Sequence, residues 1–292
     1  MAFYILIILL ATASPSDAAT YTPSGGVVGE VSYYTVRQED NLYEIARKND
    51  IGIVELLAAN PGIDPWTPPK GTKITLTTAH LLPPVREGIV LNLSELRLFY
   101  FMKKGNVMTF PIGIGQEGWQ TPLGTTLVAS KRRNPPWIPP SSIREENPDL
   151  PDIVSPGPDN PLGAYALYLG WKKFLIHGTN RPYGIGKRSS HGCVRLYPED
   201  IEILFNAVSV GTKVTIIDTP YKLGWRANKL YLEVTPTQQQ SDAIAQYRRP
   251  LPISIPEIYK AIQKIAGEKS IDWYRVEEAI STKSGVPAII SK

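Results

Sequence analysis

Residues 174–196, FLIHGTNRPYGIGKRSSHGCVRL, constrain this chain more than any other stretch. They hold two of its three histidines and its only cysteine. The β-prone run Phe174-Leu175-Ile176 delivers His177 to a turn at Gly178-Thr179, and a glycine- and arginine-rich loop leads on to Ser190-His191-Gly192-Cys193. Sixteen positions separate His177 from Cys193, so no single helix brings them together. A tertiary turn can, and glycines at 178, 184, 186 and 192 give the backbone the freedom to make it. A thiol and an imidazole within hydrogen-bond reach form an activated nucleophile.

A chain of 292 residues has room for one large domain or two to three small ones, and needs no disulfide to hold its core. Its 27 prolines exceed the usual ~5% and favour loops, edge strands and linkers. A net charge of +4, with no basic run and no nucleic-acid motif, excludes nucleic acid as the expected partner. Phe3 to Leu10 is an unbroken apolar run, followed by small residues as far as Ala19. Residues 1–19 therefore read as a signal peptide, too short to span a bilayer comfortably. No Lys or Arg precedes the run, so a retained N-terminal anchor is the alternative. A lone cysteine in an exported chain has no internal disulfide partner. Its place between His191 and Arg195 predicts a reactive thiol, with nearby cations favouring the thiolate.

Three textures follow the signal. Residues 33–78 read as strand, helix, helix, strand: β-prone Tyr33 to Val36, a capping-box-like start at Asn41 and Glu44, a second helix Ile53 to Ala59 stopped by Asn60-Pro61-Gly62, and a strand Thr72 to Thr77. Ala79 to Pro84 reads as a linker, with His80 exposed in it and without a role. Residues 87–218 alternate with period two at turn spacings that predict a β-sandwich. A proline-rich segment, Asn134 to Pro161, is expected as a lid or wall beside the site. One amphipathic helix, Pro198 to Val208, precedes a last strand, Val214 to Ile217. Residues 219–292 predict an edge strand at Leu230 to Val234 and a helical extension opened by capping residues at Ser254 and Asp272.

YTVRQEDNLYEIARKNDIGIVELLAANPGID…PKGTKITL resembles the LysM family along its whole length. That resemblance implies binding to a glycan containing N-acetylglucosamine, here peptidoglycan. His177-Gly178-Thr179 with Ser190-His191-Gly192-Cys193-Val194-Arg195-Leu196 resembles the L,D-transpeptidase signature of YkuD type, over about residues 88–218 and including TPLGTT and NPPWIPP. The frequent form of that motif has Asn two residues after the cysteine; Arg195 stands there in this chain, as in the ErfK-like group of Gram-negative envelopes. The resemblance implies a periplasmic enzyme with Cys193 as nucleophile, acylated by the stem peptide at its third residue with release of D-alanine. The thioester passes to a diaminopimelate amine, giving a 3–3 cross-link, or to a lysine of an outer-membrane lipoprotein.

On chemical grounds His177 is the general base, with the Gly178 carbonyl as its orienting acceptor. The backbone at Gly192 and Cys193 suits an oxyanion. His191 is expected as a scaffold of the cysteine loop, Ser190 as a substrate contact, and Arg195 as a clamp for a substrate carboxylate. No cofactor and no metal are expected. The alternatives are a carboxypeptidase using water as acceptor, a zinc site built from His177, His191 and Cys193, and a non-catalytic glycan binder working through the LysM unit alone.

Overall fold

The strand Gly124–Arg133 sets the shape of the expected catalytic unit. In this computed structural model, which describes residues 20–292, Gly124–Leu127 pairs antiparallel with Lys213–Ile217. From Val128 onward the same strand pairs with Tyr165–Leu169, after a register shift between Val128 and Ser130. Such a bulge bends a strand, and here it carries one nine-stranded mixed sheet from its first half into its second. The first half runs Thr20–Tyr21, Val107–Pro111, Arg97–Phe101, Gly88–Asn92, Lys213–Ile217. Beyond the shared strand lie Tyr165–Leu169, Leu175–His177 and Val194–Arg195. The expected layering is thus achieved by one curled sheet. Its core collects Leu91, Leu98 and Phe110 from one half and Leu167, Ile176 and Val194 from the other, closed by Ile201 and Leu204 of the helix Pro198–Ala207.

The LysM-like unit has the predicted order. Strands Ser32–Thr35 and Lys73–Leu76 pair antiparallel around helices Leu42–Lys48 and Ile53–Ala59. The Asn41 side chain caps the first helix, accepting from Glu44 N at 2.9 Å. Leu42, Ile45, Leu56 and Ile74 form its core. It docks on the catalytic unit through an Arg47–Glu199 pair, bidentate at 2.7 and 2.9 Å, and through Gly52, which packs against Gly186.

Two expectations need correction. Leu230–Val234 is no edge strand of the catalytic sheet: the strand Lys229–Val234 is the middle member of a separate three-stranded sheet, between Tyr221–Arg226 and Ala288–Ile289. Leu230, Leu232 and Val234 share one face, and that face must be covered. Ile258 and Ile262 of the helix Glu257–Ala266, with Val276 of the helix Trp273–Thr282, cover it, so the C-terminal unit has its own mixed core. His80 is also no exposed linker residue. It lies in the strand Ala79–Leu81, is only 3% exposed, and faces a buried charge cluster. There Lys222 bonds Glu95 at 2.6 Å and lies 2.9 Å from Glu233, while Arg97 bonds Glu55 at 2.7 Å. These residues come from all three units and pin them together. Burial, then the charges of Arg97 and Lys222, holds the His80 imidazole well below its ordinary pKa and therefore neutral.

Candidate active site

Alternation along two short strands builds the site. Leu175–His177 and Val194–Arg195 pair in parallel, with Ile176 opposite Val194 and His177 opposite Arg195. Ile176 and Val194 point into the core. Successive side chains alternate across a sheet, so His177, Arg195 and, one step earlier, Cys193 leave on the opposite face. Pairing, not proximity in sequence, delivers the thiol and the imidazole to the same side. Leu196 N donates to His177 O at 2.9 Å and locks the register.

His177 is 3% exposed, and its Nδ1–H donates to the Gly178 carbonyl at 2.6 Å. A carbonyl can only accept, so this bond fixes the tautomer and leaves Nε2 as the acceptor. Burial, reinforced by the Arg195 charge, pulls the imidazole down to about 3. Burial likewise pushes the Cys193 thiol above its ordinary value, against the smaller lowering effects of the Leu175 amide and Arg195. Both groups are therefore held towards their neutral forms, because desolvation outweighs the one nearby cation. The Cys193 S–H donates to the Lys173 carbonyl at 3.5 Å. Lys173 itself has φ +72, a left-handed conformation that costs a non-glycine residue roughly 1 kcal/mol or more.

The cysteine loop is held from several sides. Gly192 has φ +97, and a Cβ there would sit 3.2 Å from the Phe174 ring. Thr121 Oγ1 donates to Gly192 O at 3.0 Å and accepts from Gly115 N at 3.1 Å. Ser190 is 1% exposed and its hydroxyl donates to the Cys193 carbonyl at 2.6 Å. Its hydroxyl proton is thus committed within the loop. His191 sits 4.9 Å from the Trp119 ring, with Nε2 3.3 Å from Glu146. Glu146 ends the helix Ser141–Glu146 in the expected lid, so His191 fastens that segment to the cysteine loop. Arg195 Nη1 reaches Ser189 O at 3.4 Å, while its buried Nε has no hydrogen-bond partner. Such an orphaned donor suits an incoming carboxylate. Lys173, Thr121, Trp119 and Glu146 were not singled out from the sequence. Only TPLGTT, which contains Thr121, carried a signal.

The zinc alternative has no convergent donor set, because His191 turns to Trp119 and Glu146. Among the described residues, the His/Cys/Asp/Glu group whose donor atoms converge is His80, Glu95 and Glu233, where the Lys222 ammonium already binds both carboxylates.

Residues 86–216 match the family model for the L,D-transpeptidase catalytic domain of YkuD type, and residues 34–77 match that for the LysM domain. The protein named "Probable L,D-transpeptidase YbiS" of Escherichia coli K12 is 39% identical over 287 residues, covering 94% of this chain and 92% of the relative. The chain belongs to the L,D-transpeptidase family. "Probable L,D-transpeptidase YcfS" of the same organism is 38% identical and spans all of this chain and 94% of its own length. "Probable L,D-transpeptidase ErfK/SrfK" of Salmonella typhimurium is 36% identical, over 99% of this chain and 96% of its own. Likeness to these L,D-transpeptidases thus extends through the C-terminal unit as well as the two matched domains. The enzyme works by the cysteine acyl-transfer chemistry of the family.

Proposed function

We propose that this enzyme acts in the periplasm on peptidoglycan stem peptides, with Cys193 as nucleophile and His177 as general base. The observation that carries the reading is the parallel pairing that sets both groups on one face, with the imidazole tautomer fixed by the Gly178 carbonyl. The Cys193 S–H first leaves Lys173 O and turns to His177 Nε2. As sulfur attacks the carbonyl carbon of the third stem residue, the thiol proton passes to Nε2. Backbone N–H groups at Gly192 and Cys193 receive the oxyanion, worth roughly 3 kcal/mol per donor. The C–N bond to D-alanine breaks, the amine takes the proton from the imidazolium, and a thioester remains on Cys193. An acceptor amine then attacks the thioester, its proton passes through His177 back to sulfur, and a new amide leaves. Arg195 holds a carboxylate of the stem in both half-reactions.

The acceptor amine is a diaminopimelate side chain or a lysine of an outer-membrane lipoprotein. No helix among the described residues is long and apolar enough to cross a membrane, and the expected signal at 1–19 lies outside those residues. Incubation with tetrapeptide muropeptides, followed by intact-mass analysis, tests the reading. The expected product is a tripeptide thioester on Cys193 with free D-alanine, absent in Cys193→Ala. An unmodified protein, or a product in which D-alanine is retained, would sink it. Adding a diaminopimelate-bearing or lysine-bearing acceptor then separates the two transfers from hydrolysis.

A further inference from the structure

A groove of about 1530 Å³ runs between the LysM unit and the C-terminal unit. Leu57 and Trp66 line one wall; Tyr247, Leu251, Ile253 and Ile280 line the other. Trp66, Tyr247 and Leu251 are 51%, 54% and 76% exposed, large apolar groups that a monomer normally covers unless they meet a partner. Their setting is built. Asp64 accepts from Trp66 N at 2.8 Å and Thr67 N at 2.9 Å, which holds the turn that presents the indole. One face of that indole stacks on buried Tyr43, with centroids 4.5 Å apart, and the half-exposed remainder is open. Tyr247 has φ +57, a strained conformation for a bulky residue, and its hydroxyl is tied to Tyr43 at 2.9 Å. The strain is held in place by that bond and keeps the ring beside the groove.

The aromatic surface also reaches the catalytic unit. Tyr183 lies in the loop between His177 and Cys193, edge-on to Tyr43 at 5.4 Å and to Trp66 at 6.0 Å, and is 50% exposed. Its hydroxyl donates to Glu44 at 3.0 Å, which fixes the ring against the LysM unit. The adjoining residue, Gly184, packs on Gly113, whose backbone exchanges two 2.8 Å hydrogen bonds with Arg195. The aromatic cluster of Trp66, Tyr43 and Tyr183 thus joins the groove to the loop between His177 and Cys193.

We infer that this groove binds a β-1,4-linked amino-sugar strand jointly through the LysM unit, Tyr183 and the C-terminal unit, and this rests on the peptidoglycan reading above. Pyranose rings present flat C–H faces and hydroxyl edges, which match open aromatic faces with a polar rim. The rim carries exposed Arg248 and Arg249, which complement the carboxylates of stem peptides borne by such a strand. A strand seated there directs its peptide along Tyr183 towards Arg195 and the thiol. The C-terminal unit, which has no chemical motif, becomes half of a binding groove.

The test titrates the full chain with a β-1,4-linked N-acetylglucosamine hexamer, read by tryptophan fluorescence and calorimetry. Saturable binding is expected, about tenfold weaker in Tyr247→Ala and in Tyr183→Ala. Tyr247→Phe and Tyr183→Phe, which keep the rings but lose the hydroxyl bonds that position them, should weaken binding by less, about two- to fourfold. Binding abolished in Trp66→Ala but unchanged in both tyrosine-to-alanine variants overturns the inference, because the LysM wall then binds alone. No response of the wild type at millimolar sugar also overturns it, as does saturation by a sugar-free stem peptide instead. Thioester formation by the wild type on a sugar-free tetrapeptide, measured in parallel, reports on the catalytic reading separately.

Discussion

The protonation state of the resting pair is open to a direct kinetic test. With His177 pulled down to about 3 and Cys193 pushed above its ordinary 9.0, both groups favour their neutral forms before substrate arrives. Every pKa unit that separates them opposes a preformed ion pair by about 1.4 kcal/mol, less the attraction between the two charges. The thiolate fraction at pH 7 is then below ~1%. Alkylation by iodoacetamide, followed by intact mass in the absence of substrate, should rise about tenfold per pH unit from 6 to 9 with no plateau. His177→Gln should alter that rate by no more than about threefold, because the imidazole is not what holds the resting thiol. The same variant should lose about 10²- to 10⁴-fold in thioester formation, the usual share of a general base. A plateau between pH 4 and 8 that disappears in His177→Gln would refute the reasoning, since it would show a thiolate–imidazolium pair at rest.

Burial of neutral His177 also ties stability to pH. The unfolded imidazole takes a proton below its ordinary 6.5, whereas the folded one resists down to about 3. Stability should fall through that window as acid is added, by up to ~1.4 kcal/mol per unit. Urea unfolding at pH 7 and 5 should show a smaller loss in His177→Gln; an equal loss in both proteins counts against it. Arg97→Met removes a 1% exposed guanidinium from Glu55, Asp50 O and Thr109 and leaves a buried carboxylate unpaired. A loss of roughly 3–5 kcal/mol in denaturant unfolding is expected, partly recovered by adding Glu55→Gln; a loss below ~1 kcal/mol would contradict the buried pairing. Gly186→Ala places a Cβ at φ +74 against the Gly52 backbone. It should cost about 1–2 kcal/mol from conformation alone and loosen LysM docking, visible as faster hydrogen exchange in residues 50–56; unchanged exchange and stability would count against that contact.

Much of the fold was legible because period and punctuation agree locally. The LysM order followed from Asn41, from one apolar face on each short helix, and from the Asn60-Pro61-Gly62 stop. The catalytic strands followed from alternation. His80 and the strand Lys229–Val234 were misjudged for a shared reason: their surroundings come from segments far away in the chain. A histidine among prolines carries no local sign of being buried. Nor does an alternating strand state which sheet it will join.

Spacing and residue type by themselves singled out the proposed nucleophile, the proposed base and the acceptor carbonyl next to it, because those proposals follow from what a thiol, an imidazole and a tight turn can do. Tertiary structure alone decided the charge state of the pair. Desolvation depends on how deeply the curled sheet buries His177 and Cys193, and only the assembled sheet fixes that depth. The same holds for Ser190, whose hydroxyl turns inward to the Cys193 carbonyl, and for Tyr183 and Trp66, which become neighbours only when the LysM unit docks. Sequence lists the groups that can react; packing sets which of them are charged, which are already occupied, and which stand together.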